Sequence, residues 1–81
     1  MAGLPQVSGK DLVKFLRSLG YIVVRRKGSH VRLKKLTGAG EHNITIPDHR
    51  SVAKGTLSDI LSAVSIWNGI PKENLLKQLR G

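Results

Sequence analysis

The chain contains no cysteine. That excludes a disulfide framework, a thiolate nucleophile and any zinc site built on sulfur ligands. Aromatic residues are nearly absent, with one Phe, one Tyr and one Trp. A surface that recognises nucleic acid by stacking many bases is therefore not expected. Acidic residues number five, and they are scattered. No His, Asp or Glu pair has the spacing of metal ligands on a helix, so no metal site and no cofactor is expected. Two-metal nuclease chemistry would need carboxylates that converge. No G-x-S-x-G elbow and no phosphate-binding P-loop motif occurs. The strongly apolar run Tyr21 to Val24 is far too short to cross a bilayer. Met1 to Val7 lacks a basic region followed by an apolar one, so the reading is a cytoplasmic protein without a leader or a membrane partner.

What is abundant is positive charge. Fourteen Lys and Arg give 81 residues a formal net charge of +9. Nine of the fourteen lie between Lys10 and Lys35, opposed there by Asp11 alone. Such concentration is the electrostatic footprint of a polyanion binder rather than a merely soluble surface. The length allows a single domain, residues 1–81, with a sheet and two or three helices and no deep cavity. Chemistry must then sit in a shallow groove or on an open face.

The hydrophobic pattern predicts the element order. Ser8-Gly9-Lys10-Asp11 reads as a capping box. Leu12, Phe15, Leu16 and Leu19 follow at helical spacing, and Gly20 is the stop. Tyr21 to Val24 reads as a strand and Arg25 to Gly28 as a turn. Ser29 to Leu36 alternates cleanly, with Val31 and Leu33 on one side and His30, Arg32 and Lys34 on the other. After the loop Thr37 to Glu41, a third strand runs from His42 to Pro47 with Ile44 and Ile46 inward. Asp48 to Gly55 is a polar connection. Thr56-Leu57-Ser58-Asp59 reads as a second helix cap, ahead of Ile60, Leu61 and Val64. Asn68-Gly69 ends that helix, and Pro71 opens a short last one with Leu75, Leu76 and Leu79. The class is α+β: α-β-β-β-α with a three-stranded antiparallel sheet, helices on one face, and a short C-terminal helix.

The segment Arg26-Lys27-Gly28-Ser29-His30-Val31-Arg32 is the candidate for chemistry. Gly28 allows a tight turn and close approach of backbone to phosphate. Arg26, Lys27 and Arg32 supply charge for a phosphodiester. His30 is of the side-chain type that moves a proton near neutral pH. The blander reading keeps His30 as a phosphate contact. His42, at a strand start, reads as structural, His49 as a tie for its loop, and Trp67 as core packing.

Five segments resemble one family in order. They are Ser8-Gly9-Lys10-Asp11, Leu16 to Gly20, Gly28-Ser29-His30-Val31, Pro47-Asp48-His49, and Lys54-Gly55-Thr56-Leu57 with Ile60-Leu61. The chain resembles, over about residues 8 to 65, the HicA (YcfA-like) toxins of bacterial toxin–antitoxin pairs. The resemblance implies a double-stranded-RNA-binding-domain-like fold. It also implies a type II toxin that cuts mRNA without a metal, with His30 as catalytic residue and a HicB-type antitoxin as partner. The candidate RNA contacts are Lys10, Arg26, Lys27, Gly28, Ser29, Arg32, Lys34 and Lys54. Two other classes stay open. One is a non-catalytic RNA-binding module on the same basic face. The other is a DNA-binding regulator, weakened because the two capped helices are separated by three strands.

Overall fold

The first helix, α1 (Gly9–Ser18), starts where its cap chemistry dictates. The Ser8 hydroxyl accepts from the Asp11 amide, and the Asp11 carboxylate accepts from the Ser8 amide, both at 3.0 Å. The bond from the Ser8 amide, helped by the Ser8 hydroxyl, holds the Asp11 carboxyl below its ordinary pKa. Leu12, Val13, Phe15 and Leu16 are buried, while Lys10, Lys14 and Arg17 stay in solvent. The computed structural model describes residues 3–81.

Three strands follow, β1 (Ile22–Lys27), β2 (His30–Thr37) and β3 (Gly40–Pro47), as an antiparallel sheet in the order β1-β2-β3. Two helices, α2 (Lys54–Asn68) and α3 (Lys72–Arg80), complete the chain. Val31, Leu33 and Ile46 point from the sheet into one core with Leu12, Leu16, Leu57, Leu61 and Val64. The α+β architecture with helices on one face is thus observed. None of the described helices is long and apolar enough to cross a membrane.

Three local readings need correction. Arg25, Arg26 and Lys27 are strand, not turn. The β1–β2 turn is the pair Gly28-Ser29, because Lys27 already faces His30 in the ladder. Gly28 has φ +56, the positive value that a two-residue hairpin demands and that glycine supplies without strain. The β2–β3 loop is likewise Gly38-Ala39, since Thr37 faces Gly40. Finally, α2 begins two residues before Thr56, with Ala53 at its N-cap and no side-chain cap bond. Burial of Leu57, Ile60, Leu61 and Val64 holds that helix without help from a cap.

Two features fix the sheet to the helices. At one end, the Asn68 amide donates to the Tyr21 hydroxyl at 2.9 Å, and that hydroxyl meets His42 Nδ1 at 2.6 Å. Burial at this contact disfavours the charged form of the His42 imidazole. The His42 ring stacks on Trp67 at 4.9 Å and 7°. Lys35 Nζ donates to Asn68 Oδ1 at 2.6 Å. Both His42 and Trp67 are therefore structural. At the other end, the Gly9 amide donates to the His49 carbonyl at 2.8 Å, and the Val52 amide to that of Val7 at 2.8 Å. The His49 main chain ties the loop down; its ring is exposed.

A Cβ on Gly9 would meet the Pro47 carbonyl oxygen and stand 2.7 Å from the Asp48 Cα. Backbone cannot give way as a flexible side chain can. Gly9→Ala is expected to lower stability by about 1–3 kcal/mol, the range for forced overpacking, read from the urea midpoint. An unchanged midpoint would show that α1 can slide away from Pro47 freely.

Burial pushes the His42 imidazole below its ordinary pKa. The unfolded chain therefore takes up this proton at a higher pH than the folded protein does. Stability is full above the ordinary histidine value, about 6.5, and falls as pH drops below it. His42→Phe keeps a ring against Trp67 and should remove that slope between about pH 7.5 and pH 5.5. Equal slopes in both proteins would refute the assignment.

Candidate functional site

The sheet face away from the helices carries the exposed polar groups. His30, Arg32 and Lys34 alternate outward on β2, opposite the buried Val31 and Leu33. On β3, Thr45 lies between half-buried Ile44 and buried Ile46 and faces Arg32 in the ladder. Simple alternation from Tyr21 would turn Arg25 inward. The structure avoids this with one extra residue in β1. Val23 pairs with Leu33, but Arg25 pairs with Arg32, so Val24 has no partner of its own. Such a bulge resets which side chains share a face.

The result is a shallow depression of about 190 Å³ lined by Arg25, Lys27, His30, Arg32 and Thr45. Three cations surround one imidazole, with no acidic side chain in the lining. The His30 ring is exposed, and no side-chain hydrogen bond among the described residues holds it. In the ladder His30 stands between Lys27 and Pro47. The Asp48 amide donates to the Ser29 carbonyl at 2.7 Å, fastening the end of β3 to the turn beside the site. Among the described residues, no three His, Cys, Asp or Glu gather in a way that could hold a metal ion.

The candidate contacts divide by location. Lys27, His30 and Arg32 meet in the depression, and Gly28-Ser29 forms the turn at its end. Lys34 shares the open face but lines a separate hollow with Ile22, Leu36 and Glu41. Arg26 points to the other side of β1, into a groove with Lys10 of α1. Lys54 is at the start of α2, where its Nζ donates to the Leu4 carbonyl at 2.7 Å. Arg25 and Thr45 are the lining residues that sequence reasoning missed. Treating Gly28-Ser29 as a two-residue hairpin would have found Arg25, because counting back from it pairs Lys27 with His30.

A family model described as HicA toxin of bacterial toxin-antitoxin matches residues 9–66, well over half of the chain. The chain belongs to the HicA toxin family. No curated protein and no solved structure gives a significant match. The family segment runs from the first residue of α1 almost to the end of α2 and includes the whole sheet. Within this HicA fold, α3 lies outside the match. It inserts the fully buried Leu75 into the core, and Lys72 Nζ donates to the Ser58 and Ser62 hydroxyls at 2.8 Å each.

The open face has a stability cost. Arg25 and Arg32 are directly opposed across two strands, and like charges so placed repel. Arg25→Thr removes the repulsion and places a β-branched residue on a strand. It is expected to raise stability by roughly 0.5 kcal/mol, measured as a higher urea midpoint at low salt. A lower midpoint would show that Arg25 has a structural role that the fold does not reveal.

Proposed function

We propose that this HicA-family chain is the toxin of a type II pair and cuts mRNA in the cytoplasm without a metal, with His30 as the catalytic residue. One observation carries the reading. The cationic depression on the free sheet face contains a single solvent-accessible imidazole, with Arg25, Lys27 and Arg32 around it. A phosphodiester suits that charge, and the imidazole supplies the proton-transfer group that the cations lack.

RNA carries its own nucleophile. His30 takes the proton from a ribose 2′-hydroxyl, and the 2′-oxygen bonds to the adjacent phosphorus. The bond from phosphorus to the departing 5′-oxygen breaks, and the imidazolium returns its proton to that oxygen. Arg25, Lys27 and Arg32 offset the extra negative charge on the phosphoryl oxygens as it forms. Thr45 has a hydroxyl within the same lining to donate to phosphate. Lys27 and Arg32, with the Gly28-Ser29 turn, hold the strand at the cut.

The partner follows from the same face. A HicB-type antitoxin with an acidic surface would cover the cations and shut off the site. Exposed Leu36 and Ile22, at the opposite end of the face, offer it apolar contact. The non-catalytic alternative uses the same charges and differs in what His30 does.

The discriminating test is His30→Ala. An exposed strand position contributes little packing energy, so the variant should fold and bind RNA normally. It should cut at least 100-fold more slowly, the usual scale for loss of a general acid–base group. Cleavage by the native protein should persist in a chelator and stop when the 2′-hydroxyl at the cut is replaced by hydrogen. A folded His30→Ala protein with full activity would remove His30 from the mechanism. Binding without any cleavage by the native protein would favour the RNA-binding module.

A further inference from the structure

The open face is not the sole cationic surface. On the helix side of β1, a groove of about 550 Å³ runs between that strand and α1. Lys10, Lys14 and Arg17 line it from the helix and Arg26 from the strand, against one carboxylate, Asp48. The α1 positions are exposed, so this charge faces solvent. The two basic surfaces are back to back across β1, an edge strand of the sheet. Arg25, Arg26 and Lys27 are consecutive, and they alternate between them: Arg25 and Lys27 line the His30 depression, and Arg26 lines the groove. The edge itself is thus a ridge of cations connecting both sides. Charge on an edge strand also discourages pairing with other chains. That role accounts for Arg25 to Lys27, but not for Lys14 and Arg17 on a helix.

We propose that this ridge carries one continuous track for single-stranded RNA, entering the His30 depression from the α1 groove by bending over the β1 edge. The proposal rests on the RNA reading of the open face. It adds a second contact region, Lys14 and Arg17, and a strandedness. A single strand can turn sharply around the edge of one β-strand. A duplex cannot, since double helices stay straight over distances far larger than this protein, about 50 nm for DNA. With so few aromatics on the chain, phosphate contacts supply the affinity along this track, and each cation that touches the strand adds to the salt dependence.

The test uses Lys14→Gln/Arg17→Gln, which leaves good helix formers at two exposed positions away from the His30 depression. Affinity is measured with 2′-O-methyl RNA, which cannot be cut by 2′-hydroxyl attack. The ligands are single strands of about four and about twelve nucleotides, both within the range of single-strand binding-site sizes, and a blunt duplex of the longer length. The double variant should bind the longer strand roughly tenfold more weakly, with a salt slope smaller by about 1.4, the loss for two phosphate contacts. Its affinity for the short strand and for the duplex should match that of the native protein. If the native protein binds the longer strand and the variant binds it equally well with the same slope, the track ends on the open face and the proposal fails. An equal loss on the duplex would refute single-strandedness. If the native protein binds neither single strand, the RNA reading of the open face falls, and the track falls with it.

Discussion

A three-stranded sheet in a chain of 81 residues can be covered on one face, and that constraint orders everything else. Side chains alternate across a strand, so burying Val31, Leu33 and Ile46 under the helices forces His30, Arg32 and Thr45 into water. The core is made of ordinary aliphatic packing. The open face is free to concentrate charge because nothing hydrophobic is required there. The packed side of the backbone supplies stability, and the open side gives some of it up through the Arg25–Arg32 opposition.

The extra residue in β1 refines this division. Without it, Val23 and Arg25 would share the buried face, and a guanidinium would have to enter the core. With Val24 unpaired, Val23 turns inward and Arg25 outward. The same shift sends Arg26 to the α1 side. One inserted residue thus decides which of three adjacent cations stand beside His30.

The remaining polar groups hold the frame in place. Tyr21, His42, Asn68 and Lys35 form a hydrogen-bonded chain that fastens the sheet to the end of α2, backed by the Trp67 stack. Every member has a partner, as burial requires. At the far end, Gly9 and the Val7–Val52 bond hold the loop after β3 against α1. The last helix, outside the segment shared with the family, completes the core through Leu75.

Much of this was legible in the residues. The Ser8–Asp11 box, the alternation of β2 and the apolar stripes of the helices are local signals, and each made its element where expected. Ile44 and Ile46 inward already placed Thr45 outward. The reading failed where the signal was not local. Arg25 to Lys27 look like a turn because three cations beside a glycine lack any hydrophobic period, yet ladder bonds to β2 extend the strand through them. Thr56 looks like a cap, but packing of Leu57 and Ile60 starts the helix earlier. The element order, the one-sided core and the presence of an imidazole among cations are readable from the residues alone, since these depend on periodicity within a few residues. What local pattern does not show is that Val23 turns inward while Arg25, two residues on, turns outward. That choice depends on a bulge, and a bulge is set by how two strands pair across space.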